Sequence, residues 1–222
     1  LSFAYDDNTV LNNVSFTIQK GQFVVLCGHT GCGKSTLLRL LKKELQPVGQ
    51  LSGQIAIYGD DLSTVPPTTI GFVMQKPEEQ LVMEKVWQEL AYPLENLAVP
   101  PAIMEQQIAE VMHFLGIHHL FDERTDTLSG GQKQLVNLAA VLVTKPKILL
   151  LDEPTAQLDP LAATRFIQLL ARIHQELGMT ICIIEHRLEE LVPYLDEILL
   201  LENQTIQYQL PPKQLIEKLT DN

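Results

Sequence analysis

Gly28-His29-Thr30-Gly31-Cys32-Gly33-Lys34-Ser35 fits the pattern G-x-x-x-x-G-K-[ST], the phosphate-cradling P-loop. Immediately before it, Phe23-Val24-Val25-Leu26-Cys27 reads as a buried strand. Immediately after it, a helix is predicted to begin near Lys34, carrying Leu37, Leu38, Leu41 and Leu45 at helical spacing. Strand, loop and helix in that order are the context the motif requires. The glycines let the backbone curl until its N–H groups converge on phosphate oxygens, and the helix amino-terminus adds partial positive charge there. Lys34 would neutralise β- and γ-phosphates, and the Ser35 hydroxyl would ligate Mg²⁺. Cys32 reads as a small side chain tolerated because the backbone does the binding, in preference to a modifiable thiol.

Outward from this loop, apolar strand-like runs alternate with helical patterns, which predicts an α/β fold with a largely parallel sheet and covering helices. Residues 49–59 read as short antiparallel strands and turns. From about residue 77 to 134 the character becomes helical, with segments at 82–97 and 102–115 separated by Pro100-Pro101. The α/β pattern then resumes with a strand at 147–151 and a helix at 161–177, whose apolar face is Phe166, Ile167, Leu170, Ile173 and Leu177. Further strands are expected at Thr180–Ile184 and at 197–201. The whole chain, 1–222, reads as one domain, with residues 1–76 and 135–222 forming the core and 77–134 a helical insertion.

Ile148-Leu149-Leu150-Leu151-Asp152-Glu153 is a second apolar run that ends in two acids. Strand carboxyl ends are where a doubly wound sheet places its ligands. Asp152 would orient the metal, and Glu153 would accept a proton from an attacking water aligned for in-line displacement. Adjacent acids at a strand end mean little alone. A P-loop upstream gives them a role.

Composition sets the bounds. No apolar run approaches the roughly 20 residues needed to cross a bilayer, and Asp6 and Asp7 interrupt any opening segment that would read as a signal peptide. A membrane role would therefore need a separate partner. Cys27, Cys32 and Cys182 show neither metal-ligand spacing nor a disulfide framework, which favours a reducing compartment. The net charge of −11 argues against broad, backbone-driven nucleic-acid binding.

Leu128-Ser129-Gly130-Gly131-Gln132 resembles the signature of ABC ATPases and lies between the P-loop and the acid pair, as in that family. Over essentially the whole chain the other motifs follow in the family's order. Tyr5 resembles the aromatic residue that stacks on adenine, and Gln75 the glutamine that joins core to helical insertion and senses the γ-phosphate. Ala156-Gln157-Leu158-Asp159 resembles the loop that crosses the dimer interface, and His186 the switch histidine. The resemblance implies a P-loop NTPase with a RecA-like core, a small antiparallel β subdomain and an inserted α-helical signature subdomain. It implies ATP and Mg²⁺ as cofactors. Tyr5, Gly28, His29, Thr30, Gly31, Cys32, Gly33, Lys34, Ser35 and Thr36 would contact the nucleotide. Ser35, Gln75 and Asp152 would serve the metal, and Glu153, His186, Lys34 and Gln75 catalysis. In this family ATP is sandwiched between the P-loop of one subunit and the signature of another, so Ser129, Gly130, Gly131 and Gln132 would face it in trans across a head-to-tail dimer.

Lys76-Pro77-Glu78-Glu79-Gln80-Leu81-Val82 and Glu89-Leu90-Ala91-Tyr92-Pro93-Leu94-Glu95-Asn96 resemble a segment of energy-coupling-factor importer ATPases, which serve vitamin and transition-metal uptake. Tyr92-Pro93 departs from the Phe-Gly pair usual there, and Leu135 from a basic residue. The resemblance implies a position at the cytoplasmic face of the cell membrane, with a transmembrane scaffold and a substrate-binding membrane subunit as partners, and no nucleic acid. Glu84, Gln88 and Tyr92 are candidates for the scaffold contact, while Val82, Val86, Leu90 and Leu94 are expected to fill the insertion's own core. The alternatives are a soluble ABC ATPase acting on DNA or ribosomes, a different importer or exporter ATPase, and a binding module without hydrolysis. The last predicts decay at Glu153 or His186, and both acid and imidazole are present. Leu1-Ser2-Phe3-Ala4-Tyr5 reads as starting inside the expected first strand. With an end at Asn222, an excised domain or half of a tandem pair is the expectation.

Overall fold

The computed structural model describes residues 1–220; Asp221 and Asn222, at the chain end noted above, lie outside the described residues. An antiparallel hairpin of β1 (Ser2–Tyr5) and β2 (Asn8–Leu11) comes first, and β3 (Phe23–Cys27) then leads into α1 (Lys34–Leu40). Short strands β4 (Gln50–Ser52), β5 (Ala56–Ile57) and β6 (Asp60–Asp61) precede β7 (Ile70–Val73). The helical stretch holds α2 (Val86–Asn96), α3 (Pro101–Leu115) and α4 (Gly130–Leu142). After it come β8 (Ile148–Asp152), α5 (Pro160–Leu177), β9 (Thr180–Ile184), α6 (Leu188–Leu191), β10 (Glu197–Glu202), β11 (Thr205–Leu210) and α7 (Pro212–Thr220).

The main sheet runs β11-β10-β3-β9-β8-β7, parallel throughout except for the β10–β11 pair. Parallel strands need crossovers that cover both faces, which is why their sequences are continuous apolar runs. The period of two then divides each run between two cores. Phe23, Val25, Leu149, Leu151, Ile181 and Ile183 face the side packed by α2, α4 and α5. Val24, Leu26, Leu150, Cys182 and Ile184 face α1 and the antiparallel strands. Each such buried Leu or Ile contributes about 1.5–3 kcal/mol by leaving water. Because β3, β7, β8 and β9 are parallel, the loops that follow them open on one edge.

Several expectations are corrected. The first helix stops at Leu40, and Leu45 packs from a separate 3₁₀ turn, Lys43–Leu45. The chain leaves the helix at Lys42, which is extended and donates its ammonium to the carbonyls of Pro67 (3.0 Å) and Ile70 (2.8 Å). The helix expected over 82–97 begins at Val86, because the N–H groups of Val82 and Met83 are taken by the Glu89 carboxylate at 2.9 and 2.7 Å. Val82 accordingly points out of the core, at 65% exposure. Leu177 is also exposed, at the end of α5 where Gly178 turns left-handed. The expected boundary between residues 134 and 135 falls inside α4, which runs unbroken to Leu142. Among the described residues no helix is long and apolar enough to cross a membrane.

Candidate functional site

The loop between β3 and α1 is shaped by two glycines that nothing else could replace. Gly28 has φ +149°, and a Cβ there would sit 2.2 Å from the Leu201 carbonyl oxygen. Gly33, the residue that caps α1, has φ +102°, and its Cβ would meet Val10 at 2.8 Å. Within this curl the Lys34 ammonium donates to the carbonyls of Gly28 (2.9 Å) and His29 (3.0 Å), while its stem is buried. His29, Thr30 and Gly31 form the exposed crown. Cys32 is buried against the apolar core, as a small packed side chain. Tyr5 stands edge-on to Phe3, and its hydroxyl lies 3.3 Å from Thr36 Oγ1, so β1 brings an aromatic ring beside the loop's helix.

Across the sheet edge, Ser35 Oγ donates to Asp152 Oδ1 at 2.8 Å. Asp152 is only 3% exposed; burial pushes its carboxyl pKa up, opposed by the Ser35 hydrogen bond and by Arg39, whose guanidinium is 3.8 Å away. A hydroxyl and a buried carboxylate this close form a hard-oxygen pair suited to a divalent cation, which would add to the charge that Arg39 sets against Asp152 from 3.8 Å.

Glu153 has a left-handed backbone, φ 44°, uncommon for a residue with a side chain. Its N–H is tied to the Ile184 carbonyl at 3.0 Å. The carboxylate lies between two side chains from neighbouring strand ends: Gln75 Nε2 donates to Oε2 at 2.9 Å, and His186 Nε2 is 3.1 Å from Oε1. Gln75 and His186 are exposed, so all three groups border solvent. Gln75, Asp152, Glu153 and His186 therefore meet on one edge with the P-loop.

Ser129 and Gln132 form a reciprocal cap on α4: Ser129 N donates to Gln132 Oε1 (2.9 Å), and Gln132 N to Ser129 Oγ (3.3 Å). Ser129 and Gly130 are exposed, and Gly131 and Gln132 partly so. This segment is not brought to the P-loop; among the described residues no hydrogen bond joins the two. It packs instead beside the loop after β8, where a Cβ at Gly130 would lie 3.8 Å from the Gln157 carbonyl oxygen.

Four residues with defined roles were missed as such. Gln80 clamps the end of β7, accepting from Met74 N (3.0 Å) and donating to Phe72 O (2.9 Å). Glu89 is buried and holds the 82–83 turn; burial raises its pKa against the two N–H bonds. Glu185 and Thr155 are buried together, hydroxyl to carboxylate. Gln80 and Glu89 stand inside the quoted resemblance segments and Glu185 just before His186, but only three-dimensional contact gives them work. The scaffold-contact candidates also divide. Glu84 is paired with Arg124, the Gln88 amide oxygen caps Lys85 N at 3.0 Å, and Tyr92 is left 42% exposed.

A P-loop with strand-end acids beside it places the chain in the class of P-loop nucleotide-binding proteins. The family profile described as ABC transporter matches residues 11–156. A Bacillus cereus protein named "Putative ABC transporter ATP-binding protein" is 50% identical over 225 residues, covering 99% of this chain and 41% of that protein. The Bacillus subtilis protein named "Putative HMP/thiamine import ATP-binding protein YkoD" is 39% identical over 212 residues, covering 91% of this chain and 39% of its own length. Among solved structures, cbiO1 from Clostridium perfringens, part of the ABC transporter complex cbiONQ, superposes with a TM-score of 0.88 at 31% identity, over 99% of this chain and 89% of that one. The chain belongs to the ABC transporter family, whose ATP-binding domains take ATP with Mg²⁺ and hydrolyse it. It spans about two fifths of the length of the curated relatives it matches, 41% of the first.

Proposed function

We propose that this chain is the ATP-hydrolysing motor of an importer of the energy-coupling-factor branch, which drives uptake of a vitamin or transition metal through separate membrane subunits. The observation that carries the hydrolytic half is the Glu153 carboxylate, held 2.9 Å from Gln75 and 3.1 Å from His186 beside the Ser35–Asp152 pair. The P-loop amides and the Lys34 ammonium, released from the Gly28 and His29 carbonyls, bind the phosphates of ATP, and the Tyr5 ring packs on adenine. Ser35, Asp152 and Gln75 would hold Mg²⁺, which when bound neutralises charge on the phosphate oxygens. Glu153 takes a proton from the attacking water, and His186 holds the γ-phosphate side of the site. Ser129, Gly130, Gly131 and Gln132 complete the site of a second, head-to-tail domain, identical or paralogous. ATP closes the pair, and hydrolysis reopens it.

The import half is supported by likeness to cbiO1, by the name of the B. subtilis relative, and by the segment from Gln75 to Asn96. That segment is tied to the sheet by Gln80 and leaves Tyr92 exposed as part of a scaffold-binding surface on the cytoplasmic face of the membrane. The test is affinity purification of the full-length protein from detergent-solubilised native membranes, followed by mass spectrometry. A polytopic scaffold with a small substrate-binding membrane protein is the expected catch. Ribosomal or DNA-bound partners alone would overturn the transport half and leave the ATPase standing.

A further inference from the structure

Glu185, the residue between β9 and His186, is 5% exposed and forms no hydrogen bond with the side chain of any residue assigned to ATP; it meets His186 through the backbone alone. No Lys, Arg or His forms an ion pair with it among the described residues. Its carboxylate is satisfied by neutral donors alone. Oε1 accepts from His186 N (2.8 Å) and Arg187 N (3.3 Å), and Oε2 accepts from the hydroxyl of Thr155, itself fully buried. A carboxylate buried without a cation is costly unless its hydrogen bonds are fully made, so this one holds its donors in narrowly defined places.

The donors belong to two loops. Thr155 lies two residues after Glu153, in a tight turn closed by Ala156 N to Glu153 O (3.1 Å) and Leu158 N to Thr155 O (3.0 Å). His186 returns to the same loop through its ring, 3.1 Å from Glu153 Oε1. The bonds thus close a ring, from Glu153 to the His186 ring, from the His186 backbone to Glu185, and from Glu185 through Thr155 back to Glu153.

We propose that Glu185 is a positioning residue that fixes the backbone of His186 to the Thr155–Asp159 turn, so that a shift of that turn is passed to the His186–Glu153 contact. The inference rests on the ATPase reading above, and deepens it. The turn continues into Asp159, whose side chain caps α5, and lies beside the α4 signature end, so it is placed to feel whatever docks there. Glu185 would then act through His186 alone, on turnover and not on nucleotide affinity.

The experiment compares Glu185→Ala, Thr155→Val and the double variant in the full-length protein, by steady-state kcat and KM for ATP and by titration with a fluorescent ATP analogue. Each single variant is expected to lower kcat by about tenfold, the loss of one well-placed interaction, with analogue affinity unchanged within about twofold. The double variant should be no slower than the slower single, because both cut the same link. Thr155→Ser, which keeps the hydroxyl, should restore kcat. Full kcat in Thr155→Val, additive losses, or a fall in analogue affinity matching the fall in kcat would each overturn the proposal. If Glu185→Ala does not fold, the nearly isosteric Thr155→Val and its serine rescue still decide. His186→Ala and Glu153→Gln run alongside: if these retain full turnover, the catalytic roles given to His186 and Glu153 have failed, and not merely the role of Glu185.

Discussion

The strand-end edge of the main sheet and the helix α4 treat buried polar groups in opposite ways. At the edge, Ser35, Asp152, Glu153, Thr155, Glu185 and His186 are bonded to one another across three loops. In α4, the side-chain amides of Gln134 and Asn137 are buried at 0% and 1% exposure, with no hydrogen-bond partner among the described residues. Directional bonds fix positions to a fraction of an ångström, whereas apolar packing fixes volume and leaves rotation less constrained. The edge is therefore specified for chemistry and the helical stretch for adaptable contact. Substitutions should separate the two: those at the edge should change turnover with little change in stability, and those in the helices should do the reverse.

Glu153→Gln is the sharpest test of the first half. Glutamine keeps the shape and a hydrogen-bonding oxygen between Gln75 and His186, and removes the proton acceptor. Turnover should fall by about 10²–10⁴-fold, the usual worth of a general base. ATP binding should persist, and size-exclusion chromatography with ATP should show a trapped dimer. Stability to urea should stay within about 0.5 kcal/mol, since the side chain is partly solvated. Undiminished turnover would mean that Glu153 is not the base and that the edge contacts are structural.

The sequence carried the edge well, and for a physical reason. A P-loop needs its residue types at fixed spacing, and a parallel strand buried on both faces must be an apolar run, so Gly28 to Ser35, the strand before Asp152 and the strand before Glu185 are legible as text. Contacts across the fold leave no local pattern. Nothing local marks Glu89 as buried until the turn at Val82 and Met83 is seen folded onto it, and Val82 reads as core until that same turn swings it outward. The first helix was overextended because Leu45 keeps the apolar rhythm from a separate turn. Thr155 is silent in sequence, since its partner lies 30 residues on.

Gln80→Ala probes the junction between the two regions. The Gln80 side chain is what closes the end of β7 after Gln75 turns away, accepting from Met74 N and donating to Phe72 O. Alanine leaves both backbone groups partly buried without that partner, at a cost of about 1–2 kcal/mol in urea unfolding. Turnover should fall less than in Glu153→Gln, because Gln75 keeps its own bond to Glu153. A cost under about 0.5 kcal/mol would show that the helical stretch is held to the sheet by packing alone, which widens the contrast between the regions.

The smallest effect, and the only gain, is expected at Asn137. Its amide is buried on α4 one turn from that of Gln134, and neither donates nor accepts a bond among the described residues. Alanine removes a desolvated polar group worth about 1–3 kcal/mol when left unpaired, and it is the better helix former by about 0.6 kcal/mol. Against this stands the small void left by the missing amide, which costs about 1 kcal/mol where the site does not collapse. The balance favours Asn137→Ala by about 1 kcal/mol in urea unfolding, with ATP turnover unchanged. Loss of stability would mean that the amide is bonded in solution, and that the helical stretch is wired as tightly as the sheet edge.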